Sequence, residues 1–304
     1  MNNFFPSDNY AFTTTTHGKW ILTGEHAVLR GCPAIIFPVP SRALTLCYQI
    51  DSEKVRATFS GLHDESLQPI FWAALERAIA IIGKPGQALT GHFYLHNTIP
   101  ISTGMGASAA LCVAIGRWLI WQGHLNEDRL YEFARELENL FHQESSGADI
   151  AATMANAGIY FIRNGERHII QPQWQPIWFL SHSGKTSGTA RCVTKVKELW
   201  QQSSELALQI DADMLKSVEL AEAALQQNES EGLIKLKTAI DLAHSCFVRW
   251  GLAGGIVAEH IAKLKAAGAL AAKPTGSGDG GFVLSLWQTV PKKPPFELIS
   301  LQAT

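Results

Sequence analysis

The sequence predicts an α+β fold with two lobes. Short aliphatic or β-branched runs, separated by glycines, prolines and charged residues, fill the first third of the chain, whereas helical spacing of apolar residues dominates the second half. Strands and helices mix without a regular βαβα alternation, which favours α+β over an alternating α/β sheet. With 304 residues and 46% hydrophobic content, the chain can bury one large core or two ordinary ones.

The short apolar runs between turn residues predict the strands. One of these runs, at 167–182, is interrupted by Pro172 and Pro176, which marks a place where one lobe passes into the other. Strands are expected at 18–25, 33–39, 42–50, 91–99, 158–165, 167–182 and 282–287.

Apolar residues at helical spacing predict the helices. At 126–143, Leu130, Phe133, Leu137 and Phe141 recur at intervals of three and four residues, which indicates a buried helix face. Further helices are expected at 67–83, in the apolar run that ends at Trp121, and at 189–202, 204–227, 232–251 and 254–268.

The charge balance and the termini restrict the class of protein. Lys and Arg number 25 against 27 Asp and Glu, so no whole-chain field favours nucleic acid or an anionic membrane, and neither partner is expected. The N-terminus lacks a secretory pattern and no apolar run reaches membrane-spanning length, which predicts a cytoplasmic protein. The five scattered cysteines suit reduced core thiols. Any bound anion must therefore be held by a local site.

A first candidate site is the loop PISTGMGASAA at 100–110, directly before an apolar helix. Glycines let the backbone approach an anion closely, and a helix N-terminus presents unpaired N–H groups with partial positive charge. The alternative is that Ser102 or Thr103 only caps a buried helix. The candidate phosphate-binding residues are Ser102, Thr103, Gly104, Met105, Gly106, Ala107 and Ser108.

Two common phosphate motifs fit this loop poorly. GMGASA follows a loose GxGxxA pattern, and Glu127 and Asp128 lie where a ribose-binding acid would stand. The next predicted element is another helix, however, whereas a Rossmann unit needs a parallel strand. A Walker loop is excluded because GxxxxGK[ST] does not occur in the sequence.

The second candidate is HGKWILTGEHAVLRG at 17–31, in which Lys19, Glu25 and His26 flank an apolar strand. Lys19 and Glu25 taken alone are compatible with a surface ion pair. If Trp20 to Leu22 are buried, Lys19 is instead partly desolvated and available for proton or charge work.

The third candidate is ENLFHQESSGAD at 138–149. Glu138 follows Leu137 on a core-facing helix, where a carboxylate needs a partner such as a metal ion. Asp149 follows Ser146 at capping-box spacing, so a helix cap is the structural alternative, and both roles are compatible.

Together and in this order, the glycine loops resemble the motifs of the GHMP kinases over nearly the whole chain. The first motif is GKWILTGEHAVLRGCPAI, the second PISTGMGASAA and the third KPTGSGDGG at 273–281. The resemblance implies a two-lobed fold with a ribosomal S5 domain 2-like N-terminal lobe at 1–172 and a ferredoxin-like helical C-terminal lobe at 173–304. It also implies an active site between the lobes.

The resemblance further implies a role for each candidate residue. The second motif would hold the nucleotide, Ser108 and Glu138 would bind Mg²⁺, and Asp149 would sit beside the acceptor hydroxyl with Lys19 close to it. The substrate side would be shaped by Glu25, His26, Thr189, Gly276 and Ser277.

This sequence departs from the family's motifs at three positions. Met105 and Ala107 replace a leucine and a serine of the second motif, and both changes are mild. Asp279 replaces a glycine of the third motif and places a negative charge where phosphate is expected. Its side chain must point away or contact a metal ion or a lysine, or else the substrate differs from the family norm.

Ala27 and Val28 stand where galactokinases carry an acidic sugar-binding residue, so the first motif resembles the mevalonate-phosphorylating members of the family. The implied activity is ATP- and Mg²⁺-dependent phosphorylation of the 5-hydroxyl of mevalonate, a small-molecule substrate, in isoprenoid synthesis. A homodimer is a family-level expectation. The alternatives are a kinase for phosphomevalonate or another small alcohol, and a catalytically silent metabolite sensor.

Overall fold

The computed structural model describes residues 10–84, 89–101, 103–141 and 145–302. The chain divides into two compact units, and strands β1 (Phe12–Thr23) and β2 (Ala34–Lys54) contribute residues to both. Unit 1 comprises Met1–Gly18, Arg42–Ile101 and Met105–Asn156, and unit 2 comprises Lys19–Ser41, Ser102–Gly104 and Ala157–Thr304.

Unit 1 is a layer of helices on a sheet. The C-terminal part of β2 pairs antiparallel with β4, and β4 pairs parallel with β3. The other elements of this unit are β3 (Arg56–Gly61), α1 (Asp64–Ile81), β4 (Thr90–Asn97), α2 (Ala107–Trp121), a 3₁₀ turn at Glu127–Arg129, α3 (Leu130–Glu138) and α4 (Ala148–Ala155).

Helix α2 is the centre of unit 1. It is buried along nearly its whole length because its residues are apolar on every face. Gly116 lets α3 approach closely, since a Cβ at this position would lie 2.4 Å from the side chain of Leu130. This close packing fixes the position of α2, whose first turn follows the second glycine loop.

Unit 2 contains an antiparallel sheet with strand order β10-β7-β9-β8 and a helical layer. The N-terminal part of β2 pairs antiparallel with β5, which pairs with β6. Its elements are a 3₁₀ turn at Ala27–Arg30, β5 (Ile159–Phe161), β6 (Arg167–Ile169), β7 (Ile177–His182), α5 (Thr189–Gln202), α6 (Ser204–Leu225), α7 (Glu229–Arg249), α8 (Ile256–Ala266), β8 (Ala271–Pro274), β9 (Phe282–Trp287) and β10 (Ile299–Ser300).

The predicted α+β class is confirmed, with differences at particular elements. The runs at 33–39 and 42–50 form the single strand β2. The helix predicted at 126–143 is shorter, because α3 ends at Glu138 and the N–H of Phe141 bonds back to the carbonyl of Glu138 in a tight turn. Phe141 therefore lies beyond the helix, and residues 142–144 lie outside the described residues.

All five cysteines are free thiols, as predicted, and four of them are buried. In the parts of the chain that the structure describes, no helix is both long and apolar enough to cross a membrane.

Candidate active site

The second glycine loop leads directly into α2. Gly104 and Gly106 have φ values of 86° and 76°, in the left-handed region that favours glycine. Gly106 is the N-cap residue, so neither Ser102 nor Thr103 occupies the capping position, and Ser102 itself lies outside the described residues. The N–H groups of the first turn have no carbonyl partner within the helix, which suits an anion.

The side chains of this loop divide between core and surface. Met105 is buried and anchors the loop, whereas Gly104 is exposed, and a Cβ on Gly104 would meet nothing within 4 Å. Ala107 and Ser108 are half-buried in the first turn of α2. The backbone at Gly104 thus has open space above it, and the hydroxyl of Ser108 lies at the start of the helix. A 3₁₀ turn and α3 follow α2 rather than a parallel strand, so the dinucleotide-binding alternative does not apply.

Glu138 ends α3 as a buried carboxylate that accepts a hydrogen bond from the hydroxyl of Ser145. Burial first, and then the charge of Glu138, raise the pKa of Cys112 on α2. Glu138 therefore faces the side of α2 that carries Cys112. Ser108 lies one turn earlier on that same side, because residues four apart share a helix face.

Asp149 lies in the first turn of α4 and is half-buried. The N-cap of α4 is Gly147 with a φ of 78°, and a Cβ there would lie 2.2 Å from the hydroxyl of Tyr131. The capping box considered for Ser146 and Asp149 is therefore not formed. The hydroxyl of Ser146 instead accepts from the N–H of Ala148 at 3.2 Å.

The first motif, in unit 2, contains a buried ion pair. Lys19 and Glu25 are both buried, which excludes a surface ion pair between them. Glu25 pairs with Lys273 of β8, and both side chains are wholly out of water. Burial raises the pKa of Glu25 and lowers that of Lys273, while their mutual attraction opposes both shifts.

Lys273 is a site residue that the sequence analysis did not assign, although it opens the third motif. A lysine in the otherwise apolar stretch before a glycine loop requires a buried partner, and this was the available signal. Its ammonium also donates to the carbonyl of Pro274 at 2.7 Å and lies 5.2 Å from the ring centre of Phe247.

His26 connects the first and third motifs within unit 2. It has a φ of 58°, and its Nε2 lies 2.9 Å from the carbonyl oxygen of Ser277. Burial lowers the pKa of His26 to about 4, so the ring is neutral at pH 7 and Nε2–H donates to this carbonyl. The rings of Phe247 and Trp250 pack edge-on against it.

The third motif lies beside the backbone of the second. A Cβ on Gly276 would lie 3.9 Å from the carbonyl oxygen of Gly104, and one on Gly281 would lie 2.9 Å from that of Thr103. The hydroxyl of Ser277 lies 2.5 Å from that of Ser187 and 3.3 Å from that of Thr189. Unit 2 therefore brings together the predicted residues of the first and third motifs, Thr189, and part of the phosphate loop.

Asp279 contacts a lysine, one of the outcomes expected for this departure. Its carboxylate accepts from Lys185 Nζ at 2.8 Å and from Arg191. Burial alone would raise the pKa of Asp279, but Lys185 and then Arg191 bring it below its ordinary value. The negative charge is thus compensated within the protein.

The predicted Mg²⁺ ligands are one hydroxyl and one carboxylate, on helices of unit 1. Within the described ranges, no group of three or more His, Cys, Asp or Glu residues could hold a metal ion. This donor set fits Mg²⁺, which binds through one or two protein oxygens together with substrate phosphates and water.

These features define a class of protein. Residues 70–156 match the family model described as the GHMP kinases N terminal domain. The match confirms the resemblance inferred from the glycine loops: this part of the chain is similar to the N-terminal domain of the GHMP kinases.

Particular relatives are mevalonate kinases. The mevalonate kinase of Pyrococcus horikoshii is 26% identical over 293 residues, which cover 88% of this chain and 86% of the relative. The crystal structure of L. major mevalonate kinase in complex with R-mevalonate superposes with a TM-score of 0.77 at 23% identity, covering 92% of this chain and 88% of that one. The two-lobed GHMP kinase fold is therefore confirmed.

The fold by itself does not select the acceptor. A phosphomevalonate kinase of Streptococcus pneumoniae, in complex with phosphomevalonate and AMPPNP, superposes with a TM-score of 0.70 at 17% identity. The match covers 92% of this chain and 93% of that one.

Proposed function

We propose that this protein transfers the terminal phosphate of ATP to the 5-hydroxyl of mevalonate. The observation that carries the proposal is the open glycine loop at the start of α2, with Ser108 on the helix face towards Glu138 and Asp149 in the first turn of α4. The choice of mevalonate is supported by relatives named mevalonate kinases that match over 88% of the chain. The glycine loop supports phosphate transfer in general, whereas the choice of mevalonate depends on these relatives.

The phosphate chain of ATP would be held by the backbone of residues 103–108. Gly104 leaves room above the loop, and the N-terminus of α2 supplies aligned N–H groups and partial positive charge. Phosphoryl transfer depends on this kind of positioning and charge stabilisation, because it needs no covalent intermediate on the protein.

Ser108 and Glu138 would hold Mg²⁺. The bound ion would neutralise charge on the phosphate oxygens during transfer. Glu138 is suited to this role because it is a buried carboxylate held in place by the hydroxyl of Ser145. The hydrogen bond from Ser145 therefore fixes the direction in which the Glu138 carboxylate would bind the ion.

Asp149 would accept the proton of the acceptor hydroxyl or orient that hydroxyl for attack. The start of α4 favours a negative charge at this position, and a nearby Lys19 would keep the carboxylate ionised. The substrate side would comprise Glu25, His26, Thr189, Gly276 and Ser277, whose contacts within unit 2 already fix their positions.

ADP release with a panel of acceptors tests this proposal. Purified protein receives ATP, Mg²⁺ and, separately, mevalonate, phosphomevalonate, galactose or homoserine, and we expect turnover with mevalonate alone. The variant Asp149→Asn tests the role of this carboxylate. We expect its turnover to fall by about 10² to 10⁴-fold while ATP binding is retained.

Turnover with phosphomevalonate instead would reassign the acceptor within the same family. ATP binding without turnover on any acceptor would favour a silent sensor. Cytoplasmic localisation and a homodimer stay predictions from the sequence.

A further inference from the structure

The loop at 183–188, which leads into the first turn of α5, lies along the third glycine motif through several direct contacts. The N–H of Ser183 donates to the carbonyl of Gly281 at 2.9 Å, and the N–H of Gly281 donates to that of Lys185 at 2.7 Å. The hydroxyl of Ser187 also bonds the carbonyl of Gly278 at 2.9 Å. Charged side chains on this loop are therefore held at fixed positions relative to Ser277 and Thr189.

Two cations converge on one carboxylate at this place. Lys185 and Arg191 both donate to Asp279, one to each carboxylate oxygen. The side chains of Lys185 and Arg191 are 41% and 67% exposed, whereas that of Asp279 is only 25% exposed. The carboxylate thus lies beneath two cations that water and solutes reach.

Asp279 adopts a backbone conformation that an aspartate rarely occupies. Its φ is 55°, and its N–H donates to the carbonyl of Leu252 at 2.7 Å. Glycine, the residue that the family's motif has at this position, adopts this conformation without strain. The two ion pairs hold the carboxylate of Asp279 in place in this conformation.

A lysine and an arginine that share one acceptor form a phosphate-binding arrangement. We propose that Asp279 is a specificity-determining residue, whose carboxylate fills a Lys185/Arg191 anion site and thereby disfavours acceptors that carry a phosphate monoester. The carboxylate takes the place of the ligand, so it neutralises one of the two positive charges and occupies the donors that would bind the phosphate of a phosphorylated acceptor.

The inference rests on the proposed function in one respect, namely that the acceptor binds beside Thr189 and Ser277. The hydroxyls of Thr189 and Ser277 lie 3.3 Å apart. Thr189 precedes Arg191 by two residues in the chain, and Ser277 precedes Asp279 by two residues. An acceptor held by these hydroxyls would therefore bind beside Lys185 and Arg191, whose charges Asp279 partly neutralises. Mevalonate carries one negative charge, so it gains less than its phosphorylated form from any change in this field.

The test uses Asp279→Asn, because asparagine also tolerates a positive φ and lacks only the charge. Asp213→Asn is the matched control, since Asp213 forms an ion pair with Arg249 in the same unit at comparable exposure. Calorimetry measures the binding of phosphomevalonate, mevalonate and inorganic phosphate to each full-length protein, at low and at high salt.

We expect Asp279→Asn to bind phosphomevalonate about 10-fold more tightly than the original protein, and mevalonate within about 3-fold. The gain should shrink at high salt and disappear in Asp279→Asn/Arg191→Gln. Asp213→Asn should leave all three affinities within about 2-fold. Asp279→Gly, which has no backbone strain, should reproduce the gain if the asparagine variant is poorly folded.

Unchanged affinity for phosphomevalonate in both Asp279 variants would overturn the proposal. So would an equal gain for mevalonate, a gain for inorganic phosphate without one for phosphomevalonate, or a gain that survives the loss of Arg191. These measurements need no turnover, so failure of the protein to phosphorylate mevalonate would contradict the proposed function while leaving the binding result to decide this inference.

Discussion

At the scale of single residues, the Glu25–Lys273 pair places two opposite charges in the core. Lys273 is surrounded by acceptors, since it bonds Glu25 and the carbonyl of Pro274. Oε2 of Glu25, by contrast, has no hydrogen-bond partner among the residues that the structure describes. Each charge is therefore tolerated in the core chiefly because of the other.

Lys273→Met should destabilise the protein by about 3 to 5 kcal/mol, because it leaves the carboxylate of Glu25 buried without a cation. The double variant Glu25→Gln/Lys273→Met should be less destabilised than Lys273→Met alone, since it removes both charges of the pair. Urea unfolding at pH 7 measures both. Lys237→Met, which removes an exposed pair with Asp241, is the control and should cost less than about 1 kcal/mol. A double variant destabilised by the sum of the effects of Lys273→Met and of the single variant Glu25→Gln would show that the charges do not depend on each other.

Individual residues also show where sequence reasoning reaches its limit. Glu25 and His26 were identified because they stand in a recognisable motif, but their partners Lys273 and Ser277 lie about 250 residues away in the chain. The pairing of Asp279 with Lys185 and Arg191 likewise depends on how two loops pack. The residue types limited the possible partners of Asp279, and only the fold selected among them.

At the scale of elements, a comparison of two glycines distinguishes a purely structural role from a proposed role in phosphate binding. Gly104 and Gly83 both have a positive φ, and a Cβ on either meets nothing within 4 Å. Gly83 follows α1, whereas Gly104 precedes the proposed phosphate-binding turn. The two positions thus present the same backbone requirement in different surroundings.

Gly104→Ala and Gly83→Ala should each cost about 1 to 2 kcal/mol in stability, because alanine is strained at a positive φ. Only Gly104→Ala should raise the KM for ATP, by about 10 to 100-fold, since its methyl group occupies the space that the phosphates need. Unfolding and steady-state kinetics on both variants check this. An equal rise in KM for the two variants would attribute the effect to lost stability instead.

Elements with a strong apolar pattern could be predicted, including the six-residue strand β9, whereas elements without such a pattern could not. The helices α5 to α8 were expected close to their observed bounds because each spans several turns of apolar repeats. Strand β8, with the sequence Ala-Ala-Lys-Pro, has little strand propensity and exists through its pairing with β9. Strand β3 pairs in parallel with β4, and β10 is only two residues long. Neither strand was expected from an apolar pattern in the sequence.

At the scale of the whole molecule, the fold and the resemblance to the GHMP kinases were predictable because three glycine loops occur in one order along the chain. The roles of Ser108, Glu138 and Asp149 stay predictions, and all three residues lie in unit 1. The division into domains at residue 172 stays a prediction. The burial of titratable side chains becomes visible in another global property, the pH dependence of stability.

Two buried histidines should make the folded protein lose stability in mild acid. Burial lowers the pKa of His26 to about 4, and burial together with the positive charges of its neighbours does the same for His260, which bonds the hydroxyl of Ser181 and stacks on Phe296. An unfolded histidine binds a proton below pH 6.5, so unfolding takes up protons between about pH 6.5 and 4, and stability must fall as the pH falls through that window.

Between pH 7.5 and pH 5, each of these histidines should remove about 2 kcal/mol from the free energy of unfolding. His26→Gln/His260→Gln, which cannot take up these protons, should therefore lose about 4 kcal/mol less than the original protein over the same interval. Urea unfolding at the two pH values gives the difference directly, and His124→Gln at an exposed position should leave it unchanged. If the double variant lost as much stability as the original protein, the acid sensitivity would have to come from the carboxylates, whose protonation acts on the native ion pairs instead.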